Sequence, residues 1–476
     1  MAESALRKRH EQRQHLYSTI PLDRFDVIML VAMAALVVAI GVAIARGDQI
    51  GLAVQNFGPT QSASSRAAIR VTFDDPVVAQ SATLRLILTP PVPGKMTVAG
   101  NQITFRPDQA LTQGQEYTVT LKAGIQGSAG RALKRDVQWE FRITPPRVVY
   151  LGPVDSLVQN LYLLDPTQNK AAEALTASTR GVVGYDIAPD GGSIVYAELQ
   201  DNGVASLSSL DLLSGTSRLI YDCSGATCTN PVFRPDGGAV AFERSDLNVG
   251  TGVAPGVPRV WVLDLASSTA KPLFTDNQQL GYAPRWSPDG SKLAVFNNNA
   301  GGISVHDFAS GNDLTIATVQ GEVGQFSPDG KWLFFPKVIE GSAGGYVTHF
   351  VLVDLSSPYL VQTDLVPDSD PADDKEASWF PDSKHLVVAR VSGGSQGLAA
   401  PQVFSVEVGT GKATPLIEDQ SYSQSNLTIS PSGDVLLLQR VPLSKPGART
   451  ELWTYSFASH ELKQIVQNGT FARWLP

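Results

Sequence analysis

The stretch APRWSPDGSKLAVF (283–296) reads as two short strands joined by a tight turn. Trp286 and Leu293 fall on apolar alternations, and Pro288-Asp289-Gly290 separates them. Proline ends a strand cleanly, and Asp-Gly supplies the positive-φ geometry of a hairpin. The phrase returns as YDIAPDGGSIVYAE (185–198), PVFRPDGGAVAFER (231–244), VGQFSPDGKWLFFP (323–336), ASWFPDSKHLVVAR (377–390) and LTISPSGDVLLLQR (427–440). The prolines Pro189, Pro235, Pro288, Pro328, Pro381 and Pro431 are 46, 53, 40, 53 and 50 residues apart. Strand-rich repeats with a period of ~40–50 are the mark of propeller blades.

A second phrase interleaves with the first: an apolar strand, an acidic or polar end, a small turn and another strand. Examples are LSSLDLLSGTSRLI (207–220), VWVLDLASSTAKPLF (260–274) and LWTYSFASHELKQIV (452–466). Seven such outer hairpins stand against six complete inner ones. The chain ends in ARWLP (472–476), an echo of APRWSP, and the first outer hairpin is preceded by the lone strand RVVYLG (147–152). An open sheet edge leaves unpaired N–H and C=O groups, so a ring must close. The last residues therefore supply the innermost strand of the first blade. The expectation is a seven-bladed propeller over 147–476; six blades is the alternative, should the terminal strands not pair. The residue two before each repeat proline (Trp, Phe or Ile) is expected to pack neighbouring blades together.

These repeats resemble the TolB-like propeller family, whose phrase is x-W-S-P-D-G-x-x-I/L-A-F. The resemblance covers about 330 residues. It implies the fold; for function it implies only a range, because relatives serve as binding scaffolds, periplasmic assembly factors, or gating domains of peptidases and lyases.

Composition narrows the classes. The 476 residues are 43% hydrophobic and 17% charged, which supports packed domains and excludes wholesale disorder. Net charge is −8 with no basic domain, which speaks against nucleic acid as a partner. Val27 to Ala45, VIMLVAMAALVVAIGVAIA, is uninterrupted by any charge. At ~1.5 Å per residue a helix of this length nearly spans a ~30 Å hydrocarbon layer. Arg7, Lys8, Arg9 and Arg13 precede it, and only Arg46 follows before Arg66. The positive-inside bias predicts a cytoplasmic tail (1–26), a transmembrane helix (27–45) and everything beyond outside the cell membrane. A cleaved signal peptide, using Ala43-Ile44-Ala45, and a buried helix of a soluble domain are the alternatives.

Residues 46–65 read as a linker. From 66 to 145 the chain alternates like strands, with Ile69, Val71 and Phe73 on one face, and an all-β sandwich is the economical fold. Pro107, Leu111, Gly114, Tyr117, Val119 and Leu121, with VTFDDPV before and WEFRIT after, resemble the bacterial immunoglobulin-like domain of surface-layer and envelope proteins. That resemblance implies a spacer or adhesion module without catalytic residues.

Chemistry is sparse. No G-x-S-x-G elbow with a downstream α/β domain is present. VGTGKAT (408–414) would need glycine at Val406 to be a phosphate loop, and HELK at His460 has Gln464 where H-E-x-x-H needs histidine. No catalytic residue, metal site or cofactor is assigned. Cys223 and Cys228, in YDCSGATCTN, are expected to form a loop-stiffening disulfide, with free thiols or a two-ligand metal site as alternatives. The acidic run TDLVPDSDPADDKEA carries Asp364, Asp368, Asp370, Asp373, Asp374 and Glu376. It is the candidate partner-binding loop, weighed against a merely solvated loop and a calcium site. Four long loops, 244–259, 337–349, 390–402 and 440–450, mark the face where ligand contacts gather. The resulting expectation is a membrane-anchored extracytoplasmic scaffold that binds a protein or cell-envelope glycan. The competing class is an envelope-glycan lyase or hydrolase with its site over the channel, and a sensor signalling through the tail is a third.

Overall fold

The computed structural model describes residues 24–47, 51–60, 62–63, 65–247, 256–276, 278–341, 344–357, 359–393, 399–444 and 447–476. The expected cytoplasmic tail thus lies, up to residue 23, outside the described residues, as do the centres of all four long loops.

Arg24–Gly47 is a helix of 24 residues whose described apolar side chains, Phe25 and Ile28 among them, are exposed. The side chains at 26, 39 and 42–47 lie outside the described set. Among the described residues, no helix is long and apolar enough to cross a membrane. The membrane span expected over 27–45 therefore rests on the sequence.

Two four-stranded sheets follow. One has the spatial order Val54–Gly58, Ile69–Phe73, Gln102–Pro107, Gly94–Ala99; the other Ser62–Ala63, Val137–Ile143, Glu116–Leu121, Leu86–Thr89. Alternation puts Ile69, Val71 and Phe73 of one sheet and Val119, Leu121, Phe141 and Ile143 of the other into a shared core. The linker expected over 46–65 is corrected here. Val54–Gly58 pairs with Ile69–Phe73, and Ser62–Ala63 runs parallel to Val137–Ile143. A register break between Val54 and Asn56 interrupts the period-two pattern by which such a strand would be read.

Beyond Pro146 the described residues form seven four-stranded antiparallel sheets. The first runs from outside in as Glu173–Ala174, Asn160–Leu164, Val148–Gly152 and Thr470–Trp474. Its innermost strand comes from the end of the chain: Trp474 pairs with Val148 and Thr470 with Leu151. The other six are meanders whose inner strands are Val182–Ile187, Ala226–Phe233, Tyr282–Trp286, Gln325–Phe326, Asp373–Trp379 and Tyr422–Ile429. This is the arrangement of a β-propeller. In a meander, successive connections alternate sides. The repeated Pro-Asp-Gly hairpins therefore share one face of the ring with the outer hairpins, and the long loops and sheet-to-sheet connections share the other.

The repeated phrase explains the sheet-to-sheet packing. Trp286, Trp379 and Trp474 each donate their indole N–H to a carbonyl of the preceding sheet's inner strand: Val232 (3.2 Å), Gln325 (3.3 Å) and Thr428 (3.1 Å). The terminal ARWLP echo thus repeats the contact made inside APRWSP. Within the hairpin, Ser287 Oγ accepts from Lys292 N at 2.9 Å and donates to Asp289 at 2.6 Å, while Gly290 takes φ +71°. Ser383, standing where the other repeats have glycine, takes φ +57°.

Candidate functional site

Every inner strand except the two-residue Gln325–Phe326 is bulged. Asn230, Ala283, Asn426 and Phe471 have φ between 49° and 52°, and the ladder register breaks at each. A bulge turns backbone N–H groups away from the ladder, and these need acceptors. The sheet next door supplies them. Asp186 accepts from Phe233 N at 2.7 Å and Glu243 from Ala283 N at 2.8 Å. Glu376 accepts from both Asn426 N (2.7 Å) and Leu427 N (2.9 Å). Across the seam where the chain closes, Gln439 accepts from Thr470 Oγ1 at 2.9 Å and from Phe471 N at 3.3 Å. On the other side of that seam, Tyr185 Oη lies 2.7 Å from Val149 O and 2.6 Å from Phe471 O.

These strands surround a central lumen. A cavity of about 740 Å³ is lined by Arg66, Asp186, Arg285, Gln325, Glu376 and Arg473, among others. Its floor includes the hairpin prolines Pro189 and Pro431. A second cavity of about 260 Å³ contains Gly184, Tyr185, Asn230 and Phe471. Val232, Arg285, Asn426 and Arg473 line both and so form the waist between them. Arg473 pairs with Asp186 at 2.5 Å. Burial pushes the Asp186 carboxyl up, against the pull of Arg473 and the backbone donors. Glu376 is likewise raised by burial, against its two N–H donors. Burial, and next the Arg473 charge, push Arg285 down.

The acidic run does not form one solvent-facing patch. Asp364 and Asp368 lie 3.0 and 3.5 Å from Lys337 Nζ. Fully buried Asp374 accepts from Arg390 Nε at 2.6 Å, and Asp370 lies 3.3 Å from Arg390 Nη1. Asp373 accepts from Thr348 N at 3.0 Å and pairs with Lys375. Glu376 points to the lumen. The expected loop is also partly strand, since Asp373–Trp379 is an inner strand and Gln362–Asp364 an outer one. The carboxylates are drawn in because Arg390 and Lys337 sit on the neighbouring second strands. Cys223 and Cys228 are disulfide-bonded, with Cα atoms 6.1 Å apart, in the core between the second and third sheets of the ring. Among the described residues, no group of three His, Cys, Asp or Glu side chains could hold a metal ion.

The sandwich meets the ring on its hairpin face. Arg70 pairs with Asp190, and Arg106 Nη2 lies 3.8 Å from the same carboxylate. Arg66 reaches the wall of the larger cavity.

Residues 48–143 match the family of bacterial Ig-like domains. No curated protein sequence matches the chain. Among solved structures, TolB from Acinetobacter baumannii aligns over 84% of this chain and 84% of its own, at 15% identity and a TM-score of 0.42. An oligogalacturonate lyase in complex with manganese aligns over 68% of this chain and 85% of its own, at 12% identity and a TM-score of 0.46. The propeller domain of the Trilobed protease from Pyrococcus furiosus aligns over 60% and 84%, at 13% identity and a TM-score of 0.45.

Proposed function

We propose that the chain is a membrane-anchored extracytoplasmic binding protein. In this reading the seven sheets are the blades of one seven-bladed propeller closed by its C-terminal strand. Residues 27–45 span the cell membrane with the N-terminal tail inside, and the sandwich holds the propeller away from the lipid. The face of long loops then binds a protein or cell-envelope glycan. The observation that supports this is the asymmetry of the ring. The sandwich sits on the hairpin face through Arg70, Arg106 and Asp190, so the loop face is turned away from it. The disulfide fits an oxidising compartment.

Two measurements test the reading. A periplasm-active reporter fused after Pro476 should be active, and a fusion at residue 15 inactive. Cross-linking of the full-length chain in native membranes should capture a protein or wall polymer through the loop face. A reporter active at residue 15 would overturn the topology. One observation favours an enzyme instead: Asp186 and Glu376, both pushed up, face a shared lumen, as acid and base groups do. Turnover of an envelope glycan by the purified chain, lost on Glu376→Gln, would decide for that class.

A further inference from the structure

We infer that the lumen of the ring is a binding site for a small-molecule oxyanion, a carboxylate or phosphate group held by Arg285 at the waist with Arg66 and Arg473 about it. Three arginines and two carboxylates line the larger cavity. The carboxylates are already committed: Asp186 to Arg473 and Phe233 N, Glu376 to two backbone N–H groups. Arg473 is committed in turn to Asp186, and it lies over the Tyr185 ring at 5.7 Å. Arg285 is different. Among the described residues, its one side-chain hydrogen bond is to the carbonyl of Pro284, next to it in the chain, at 2.9 Å. Among the described residues, no carboxylate lies within ion-pair distance of it or of Arg66.

Arg285 therefore presents its guanidinium to the lumen, exposed within the cavity that the inner strands surround. Asp186, Glu243 and Glu322 offset part of its charge from beyond ion-pair distance, but none bonds the guanidinium, and the nearby Arg473 opposes them, so N–H donors are left for an added anion. The guanidinium fork matches planar carboxylate and tetrahedral phosphate, in either case through paired N–H donors. Cavities of about 740 and 260 Å³ that meet at the waist suit a small molecule. None of this depends on the membrane placement or on the partner of the loop face.

The test is isothermal titration of the full-length chain in detergent with sodium phosphate and, separately, sodium succinate. The buffer is of low ionic strength, with sodium chloride at matched ionic strength as control. Saturable binding of at least one probe is expected, weakened about tenfold or more in Arg285→Gln. Arg180→Gln, which removes an exposed arginine paired with Asp201, should bind like the parent chain. Tighter phosphate binding assigns a tetrahedral ligand, and tighter succinate binding a carboxylate. Absence of saturable binding for both probes overturns the inference. So does unchanged binding in Arg285→Gln, or equal weakening in Arg180→Gln. If Arg285→Gln fails to fold, Arg285→Lys replaces it; this variant keeps the charge but loses the fork, and unweakened binding again overturns the site.

Discussion

Carboxylates at the rim of the ring and carboxylates in its lumen do the same local task with opposite electrostatic outcomes. At the rim, an acid that ends a third strand caps its own hairpin. Asp264 accepts from Ser267 N and Oγ, both at 2.8 Å, and Asp354 accepts from Ser356. Hydrogen bonds from Ser267 and Ser356 hold these two below the usual carboxylate range, and the Ser310 N–H does the same for Asp307. In the lumen, Asp186 and Glu376 cap N–H groups of the adjoining sheet, but burial outweighs those bonds and pushes both up. A rim acid therefore stabilises one turn in water at little cost. A lumen acid joins two sheets and carries a desolvation penalty for doing so.

The comparison can be broken most forcefully at Asp186. Asp186→Ala orphans Phe233 N and strips Arg473 of its partner, and should cost about 3 kcal/mol in chemical denaturation. A loss no larger than at the rim would erase the distinction. Glu376→Ala leaves two N–H groups without an acceptor between the sixth and seventh sheets and should cost about 2 kcal/mol. At the rim, Asp264→Ala should cost only about 0.5–1 kcal/mol, as for a lost helix cap.

The smallest effect is the sharpest, because its sign differs between the two regions. Glu376 is raised above 4.5, so its contribution is complete below that value and is lost as pH rises through its higher native pKa. Asp264 is lowered below 3.8, so its contribution is present above that value and is lost as pH falls through the lower native pKa. Denaturation midpoints between about pH 2 and 8 should therefore show Glu376→Gln gaining on the parent chain as pH rises. The deficit of Asp264→Asn should shrink as pH falls towards and below 4. Parallel profiles would refute the assignment.

Much of the fold was legible because turn chemistry is local. Pro-Asp-Gly, the buried aromatic before it and the ARWLP echo all act within a few residues, and Trp474 pairs with Val148 where the echo puts it. The sandwich's first strand was hidden by its bulge. The lumen was missed because Asp186, Arg285, Glu376 and Arg473 come from four different sheets. A signal for three of them was nonetheless present in the repeat. The residue just before each packing anchor reads Asp186, Val232, Arg285, Gln325, Ser378, Thr428 and Arg473. Six of those seven line the larger cavity. Glu376 stands outside that column. The pairing within the acidic run was illegible for a related reason: its partners, Lys337 and Arg390, are remote or on the neighbouring strand, and only strand pairing brings them within reach.

The strand Val148–Gly152 follows directly on the sandwich and lies between Asn160–Leu164 on one side and Thr470–Trp474 on the other. Tension passed along the backbone from the sandwich would reach a strand clamped on both flanks. Such a strand resists by shearing all its rungs together rather than by peeling from an edge. The joint that closes the circle is thus also the point best suited to carry mechanical load into it.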